Sequence, residues 1–209
     1  MTLYIPPHFR IDDRDALYAF MEQHAFGVLV TSGAAGMHVS HIPFLPERGD
    51  DGAIRLLGHV ALANEQWKAL ADAQHLTAIF QGPHAYVSPT WYANHPSVPT
   101  WNYSVVHAHG KARLMDEAEL HDLLMRLSNL YEAGNAKPWR MAELPAAYVS
   151  SMLKMIVGFE IEVESLEGKF KLSQNRPAEV PRVIAELEQG AREPQLAALM
   201  RDHSTAAKG

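Results

Sequence analysis

Cysteine is absent from the 209 residues of this chain. Disulfides, thiolate nucleophiles, iron-sulfur clusters and cysteine-bound zinc are therefore excluded. Long apolar runs are missing too, and no stretch approaches the roughly 20 residues needed to cross a bilayer. The N-terminal residues, Met-Thr-Leu-Tyr-Ile-Pro-Pro-His-Phe-Arg, lack the basic start and apolar run of a signal peptide. A cytoplasmic protein with no membrane partner is expected. Positive charge is scarce, with 18 Lys and Arg against 24 Asp and Glu and a net charge of −6. General nucleic-acid affinity depends on Lys and Arg neutralising phosphates, so this balance argues against it. Glycine-rich nucleotide cradles are missing as well: there is no Gly-x-Gly-x-x-Gly after a strand, no Walker-type loop and no Gly-x-Ser-x-Gly elbow. Any bound nucleotide must be held by side chains and strand-edge amides.

The sharpest local absence is of charge. In a chain that is 20% charged, the 38 residues from Ala73 to Gly110 contain no Asp, Glu, Lys or Arg. They hold five of the 12 histidines together with Trp91 and Trp101. Neutral hydrogen-bonding groups beside aromatic rings suit a surface that meets something planar and partly polar, or another copy of the chain.

Periodicity divides the chain into short strands early and helices late. Asp12 and Asp13 are placed to cap a helix carrying Leu17, Phe20 and Met21 and ending at His24 or Ala25. Strands are predicted at 26–31, 37–45, 54–60, 76–80 and 103–114, with the first two forming a hairpin across Ser32-Gly-Ala-Ala-Gly36. The charge-free stretch after Phe80 reads as a loop region. Asn64 caps a short helix through Trp67, Leu70 and Ala71. Asp116 starts a helix with Leu120, Leu123, Leu124, Leu127 and Leu130 on one face, closed by Gly134. A further helix is expected over 142–155 with Pro145 in its first turn. Phe159, Ile161 and Val163 alternate with Glu160, Glu162 and Glu164, which predicts a strand with one buried and one acidic, wet face. A last helix falls around 183–188, and the tail frays after His203. The architecture expected is mainly β with α, an antiparallel barrel decorated by helices. Residues 1–177 would form this domain, with a helical insertion at about 116–155 and a C-terminal helical tail at 178–209.

Several residues could carry chemistry. His107 and His109 share a strand face, but a metal would recruit a third ligand and acidic residues are scarce nearby, so no metal site is assigned. Ser40, His41 and His59 lie on neighbouring strands near the helix start at Asn64, where free amides favour an anion. Asn64 serves equally as a plain N-cap. Lys169, Lys171 and Arg176, interleaved with Ser173, Gln174 and Asn175, could neutralise a phosphate or pair with the acidic face. No acid-base pair singles itself out, so no catalytic residue is named.

Six segments together resemble the PaiB family: Tyr4-Ile-Pro-x-His-Phe-Arg10, Gly58-His-Val-Ala-x-Ala-Asn64 with Trp67, Gln81-Gly-Pro-His-Ala-Tyr-Val-Ser-Pro-Thr-Trp-Tyr92, Val98-Pro-Thr-Trp-Asn-Tyr103, Gly158-Phe-Glu-Ile, and Lys169-x-Lys-Leu-Ser-Gln-Asn-Arg176. They occur in order over residues 3 to about 177. The resemblance implies an antiparallel split β-barrel of the FMN-binding type with peripheral helices, a homodimer, and FMN as cofactor. It implies cofactor contacts from Ser40, His41, Ile42, His59, Asn64, Gln81, Trp91, Lys171, Ser173 and Gln174. It also implies a negative transcriptional regulator, hence a repressor with DNA as a partner. The early strands offer only Arg48 and Arg55, with Lys68 on the following helix, so the usual phosphate residues of related oxidases have no counterpart there. No helix-turn-helix with a basic recognition helix is visible, and the helix after Asp116 carries only Arg126 as a cation. A flavin-dependent oxidoreductase or haem-handling split-barrel enzyme is the alternative, and a split barrel that has lost its cofactor is a third.

Overall fold

The computed structural model describes residues 3–33, 36–70, 73, 75–189 and 193–206. Eight strands form one antiparallel sheet: β1 (Arg10–Ile11), β2 (Phe26–Gly33), β3 (Gly36–Pro43), β4 (Leu45–Arg48), β5 (Ile54–Ala61), β6 (His75–Val87), β7 (Thr100–Leu114) and β8 (Ile156–Lys171). Their order is β3-β2-β6-β7-β8-β5-β4, with β1 paired to β8, and the path does not close. The helices are α1 (Arg14–Gln23), α2 (Gln66–Leu70), α3 (Glu117–Glu132), α4 (Ala146–Leu153), α5 (Val180–Glu188) and α6 (Pro194–Ala206). None is long and apolar enough to cross a membrane. The chain packs into two compact units. The first takes Tyr18–Phe80 and His107–Leu166, and the second the N-terminal residues through Leu17, Gln81–Val106, and Glu167 onward.

The helix starts follow local chemistry. Asp13 Oδ1 accepts from the amides of Asp15 at 2.9 Å and Ala16 at 3.3 Å, satisfying donors that the first turn of α1 leaves unpaired. Asp116 and Glu119 form a reciprocal capping box at α3. The end of α3 differs from expectation, since its C-cap is Ala133 in right-handed helical conformation and Gly134 does not adopt a positive φ. The helix expected over 142–155 is broken in two. Pro145 holds Leu144 extended, leaving a 3₁₀ turn at Met141–Glu143 and starting α4 after the proline. The predicted member Ala71 of the α2 segment lies outside the described residues.

The β2–β3 hairpin runs in the register Leu29↔Ser40 to Gly33↔Gly36, with Gly36 at φ +106 where a side chain would be strained. One predicted strand, 37–45, is two. Phe44 turns fully inward against Phe80 at 5.3 Å and Phe159 at 6.3 Å, and it separates β3, which pairs with β2, from β4, which pairs with β5. Much of the charge-free stretch expected to be loop is strand. Leu76, Ala78 and Phe80 and then Ala85 and Val87 are buried along β6, so neutral alternation continues beyond the apolar run. The helical tail includes α6, which buries Leu196, Ala197 and Met200 and continues to Ala206, three residues beyond the His203 where fraying was expected to begin.

The first unit's helical side packs Leu123 and Leu127 of α3 onto Leu57 of β5. Phe159, Ile161 and Val163 of β8 are buried as predicted. Its acidic face is matched by cations: Glu160 meets Arg113 at 3.0 Å and Arg55 at 3.8 Å, and Glu164 meets Lys111 at 2.6 Å. Such exposed pairs set register more than they stabilise.

The tightest backbone approach is at Gly110, where an added Cβ would stand 2.0 Å from the Glu162 carbonyl oxygen. Gly110→Ala is expected to cost about 3 kcal/mol or more, at the upper end of overpacking effects. Gly134→Ala, which meets nothing within 4 Å, serves as the control. Urea unfolding curves should separate the two variants, and equal stability would show that β7 and β8 can part there without loss.

Candidate functional site

In the first unit, period-2 alternation on β3 turns Ser40 and Ile42 into the buried face and His41 out to solvent. Asn64 lies just before α2, and its Oδ1 accepts from the Gln66 amide at 3.1 Å, as an N-cap does. Its Nδ2 donates to Ser40 Oγ at 2.8 Å. Gln66 is itself buried, and its Nε2 reaches the Leu29 carbonyl at 3.1 Å, Thr31 Oγ1 at 3.3 Å and the His38 carbonyl at 3.3 Å. Its Oε1 is buried with no hydrogen-bond partner among the described residues. This line of polar groups leaves one enclosed acceptor without a partner among the described residues.

His59 does not join it. On β5 it shares the face of Leu57, toward α3 and α4, and lines a cavity of about 430 Å³ with Leu124, Tyr131, Trp139, Tyr148 and Met152. Its Nδ1 is buried without a partner, and desolvation holds the imidazole pKa below the usual histidine range.

The second unit holds an aromatic and a cationic cavity. His84, Tyr86, Trp91 and Trp101 line about 410 Å³, with Tyr86 edge-on to Trp101 at 6.1 Å. Gln81 Nε2 lies 3.3 Å from His84 Nδ1. A second cavity of about 160 Å³ is lined by Tyr92, Thr100, Lys171, Ser173, Asn175 and Arg176, with Val98 and Pro99. Lys171 Nζ donates to Thr100 Oγ1 and to the Trp101 carbonyl, each at 2.5 Å. Burial, then the charge of Lys169, lowers its pKa. Lys169 is buried, donates to the Tyr4 carbonyl at 2.8 Å and lies over the Tyr4 and Tyr103 rings. Arg176 donates to Ser97 Oγ at 3.0 Å and stacks 4.9 Å above Tyr92. None of the three cations has a carboxylate partner among the described residues.

Ser173 is buried at φ +68 and accepts from Asn102 Nδ2 at 2.8 Å. Gln174 turns away: its Oε1 accepts from the Leu172 amide at 2.6 Å and its Nε2 donates to the Phe170 carbonyl at 2.5 Å, clamping the end of β8. It borders a different cavity, with His8 and Val180.

Among the ten residues expected from sequence, then, Ser40 bonds to Asn64 beside Ile42, and Lys171 and Ser173 share a cavity. His41, His59 and Gln174 face elsewhere, and Gln81 and Trp91 belong to the aromatic segment. Sequence reasoning missed Gln66 and Thr100 as site residues. It weighed Arg176 as a phosphate contact or a partner for the acidic face, without naming it among the cofactor contacts. Thr100 sits in the charge-free segment already singled out, whereas nothing in the sequence marks Gln66.

The fold defines the antiparallel split-barrel class. It is similar to the flavocytochrome Anf3 from Azotobacter vinelandii, at TM-score 0.59 and 16% identity over 80% of this chain and 72% of that one. It is equally similar to the FAD and heme binding protein from Mycobacterium smegmatis, at TM-score 0.59 and 16% identity over 78% and 73%. A family model described as "Putative FMN-binding domain" matches residues 3–165. The "Protease synthase and sporulation protein PAI 2" of Bacillus subtilis (strain 168) is 36% identical over 203 residues, 96% of this chain and 97% of that one. The chain belongs to the PaiB family.

A buried neutral imidazole has a stability signature. Because the folded pKa of His59 lies below its unfolded value, the unfolded chain takes up the proton first as pH falls below about 6.5, and stability drops with it. His24 and His203, also lowered by burial, add to the slope. Between pH 7.5 and 5.5, His59→Leu should lose less stability than the wild type in urea titrations. An unchanged difference would mean that His59 charges freely in the folded state.

Proposed function

We propose that this protein binds FMN and acts as a negative transcriptional regulator of the PaiB type, working in the cytoplasm as a homodimer. The observation that carries the reading is the match of the FMN-binding family model over residues 3–165. Two groups of side chains are the candidate contacts, each within its own unit. Ser40, Ile42 and Asn64 offer a hydroxyl, an apolar side chain and an amide suited to the edge of a flavin ring. Lys171 and Ser173 offer a charged end in an otherwise acidic chain. A bound flavin would supply the redox chemistry, and these residues would only bind and orient it.

Regulation fits an indirect route better than a recognition helix. Arg126, the cation on α3, is paired with Glu47 and Asp122, so that helix has no free positive charge to offer a phosphate backbone. DNA contact would need a patch composed across a dimer.

A second reading, haem handling, is favoured by His59, a neutral imidazole in an aromatic, apolar cavity.

Titrating the purified protein with FMN, and in parallel with haem, separates these readings by absorbance. Saturable binding with a shifted flavin band is the expected result. A Soret shift without flavin binding would replace the first reading by the second, and no response to either would leave a cofactor-free regulator.

A further inference from the structure

We propose that Lys171, Arg176 and Thr100 form a subsite for the terminal phosphate of a phosphomonoester, and that this subsite makes the chain select FMN over riboflavin. The ligand's identity rests on the FMN reading above, but the subsite stands on its own geometry.

The donor arithmetic points to an anion. An ammonium has three protons, and Lys171 spends two of them, on Thr100 Oγ1 and the Trp101 carbonyl. Thr100 accepts that bond, which leaves its own hydroxyl proton available. Arg176 has five N–H groups and uses one on Ser97 Oγ. These spare donors belong to side chains lining one cavity of about 160 Å³, a size for a small anionic group and too small for a flavin ring.

The surroundings do not neutralise the charge. Several cations elsewhere are paired with acids: Arg55 with Asp51 and Glu160, Lys68 with Glu65, Lys111 with Glu164, Arg113 with Glu119 and Glu160, and Arg201 with Glu188. At this cavity the nearest carboxylate on the same segment, Glu179, is committed to the Ala93 and Asn94 amides at 2.9 and 3.2 Å and to Asn94 Nδ2 at 2.8 Å. A partly buried ammonium in a cavity also lined by a guanidinium, with no acid among the lining residues, is costly unless an anion completes it. Ser173, between Lys171 and Arg176, adopts φ +68 and bonds Asn102.

The test compares FMN with riboflavin, which lacks the phosphate, by quenching of flavin fluorescence in the full-length wild type, Lys171→Met, Arg176→Gln and Arg176→Lys. The wild type should prefer FMN by about 100-fold or more, and Lys171→Met and Arg176→Gln should each weaken FMN by about 10- to 100-fold, the range of a charged hydrogen bond, with riboflavin unchanged. Arg176→Lys keeps the charge and should recover part of the loss, and thermal unfolding checks that each variant is folded. Equal wild-type affinity for the two flavins, or substitutions that weaken both alike, would overturn the subsite while leaving flavin binding intact. If neither flavin binds, the FMN reading fails, and inorganic phosphate decides the subsite. Thermal stabilisation by phosphate that disappears in Lys171→Met and Arg176→Gln upholds it for another phosphomonoester, and no stabilisation of the wild type overturns it.

Discussion

Desolvation of positive charge at the end of β8 is the constraint on which the rest turns. The strand first alternates, with Phe159, Ile161 and Val163 inward and Glu160, Glu162 and Glu164 outward. It then runs Gly168, Lys169 and Phe170 into burial together before Lys171. Alternation alone would have sent lysines two apart to a wet face. Instead Lys169 is enclosed by a carbonyl and two tyrosine rings, and Lys171 by a hydroxyl and a carbonyl. The clamp that Gln174 places on the Leu172 amide and Phe170 carbonyl fixes this ending. Oxygen lone pairs and π faces solvate an ammonium, but they leave its net charge in place.

That net charge is what distinguishes this segment in an acidic protein. The outer face of β8 uses cations in the ordinary way, as partners for glutamates in largely exposed pairs worth little. The same distribution weakens a DNA-reading surface on α3 and favours a compact anion. Cations without a carboxylate partner line the Lys171–Arg176 cavity, whereas the cation of α3 is paired.

Much of this was legible in the sequence because local rules and tertiary demands agreed. Asp13, Asn64 and Asp116 cap the helices they precede, and the Phe159 to Glu164 alternation gave the strand and its buried face. Sequence failed where burial overrode pattern. Phe44 breaks a continuous apolar run because the core needs its ring, and β6 extends into Gln81–Val87 because neutral polar residues pair as readily as apolar ones. The candidate site was half visible. Lys171 and Ser173 were recognisable as a polar, basic cluster, and Ser40 with Asn64 as a strand and helix start. His41 and His59 were drawn in with Ser40 as residues of neighbouring strands, but β3 and β5 are not neighbours in the sheet, and His41 faces opposite to Ser40 on β3. Gln66 was hidden because a buried glutamine in a short helix has no sequence signature, and Thr100 because its role depends on a lysine 71 residues away.

The most direct measurement is a crystal structure of the protein grown with saturating FMN. Density for the flavin, with its phosphate within hydrogen-bond reach of Lys171 Nζ and the Arg176 guanidinium, is the expected result. Flavin density with the phosphate bound by other residues, or a Lys171 cavity without any anion at saturation, would contradict the account.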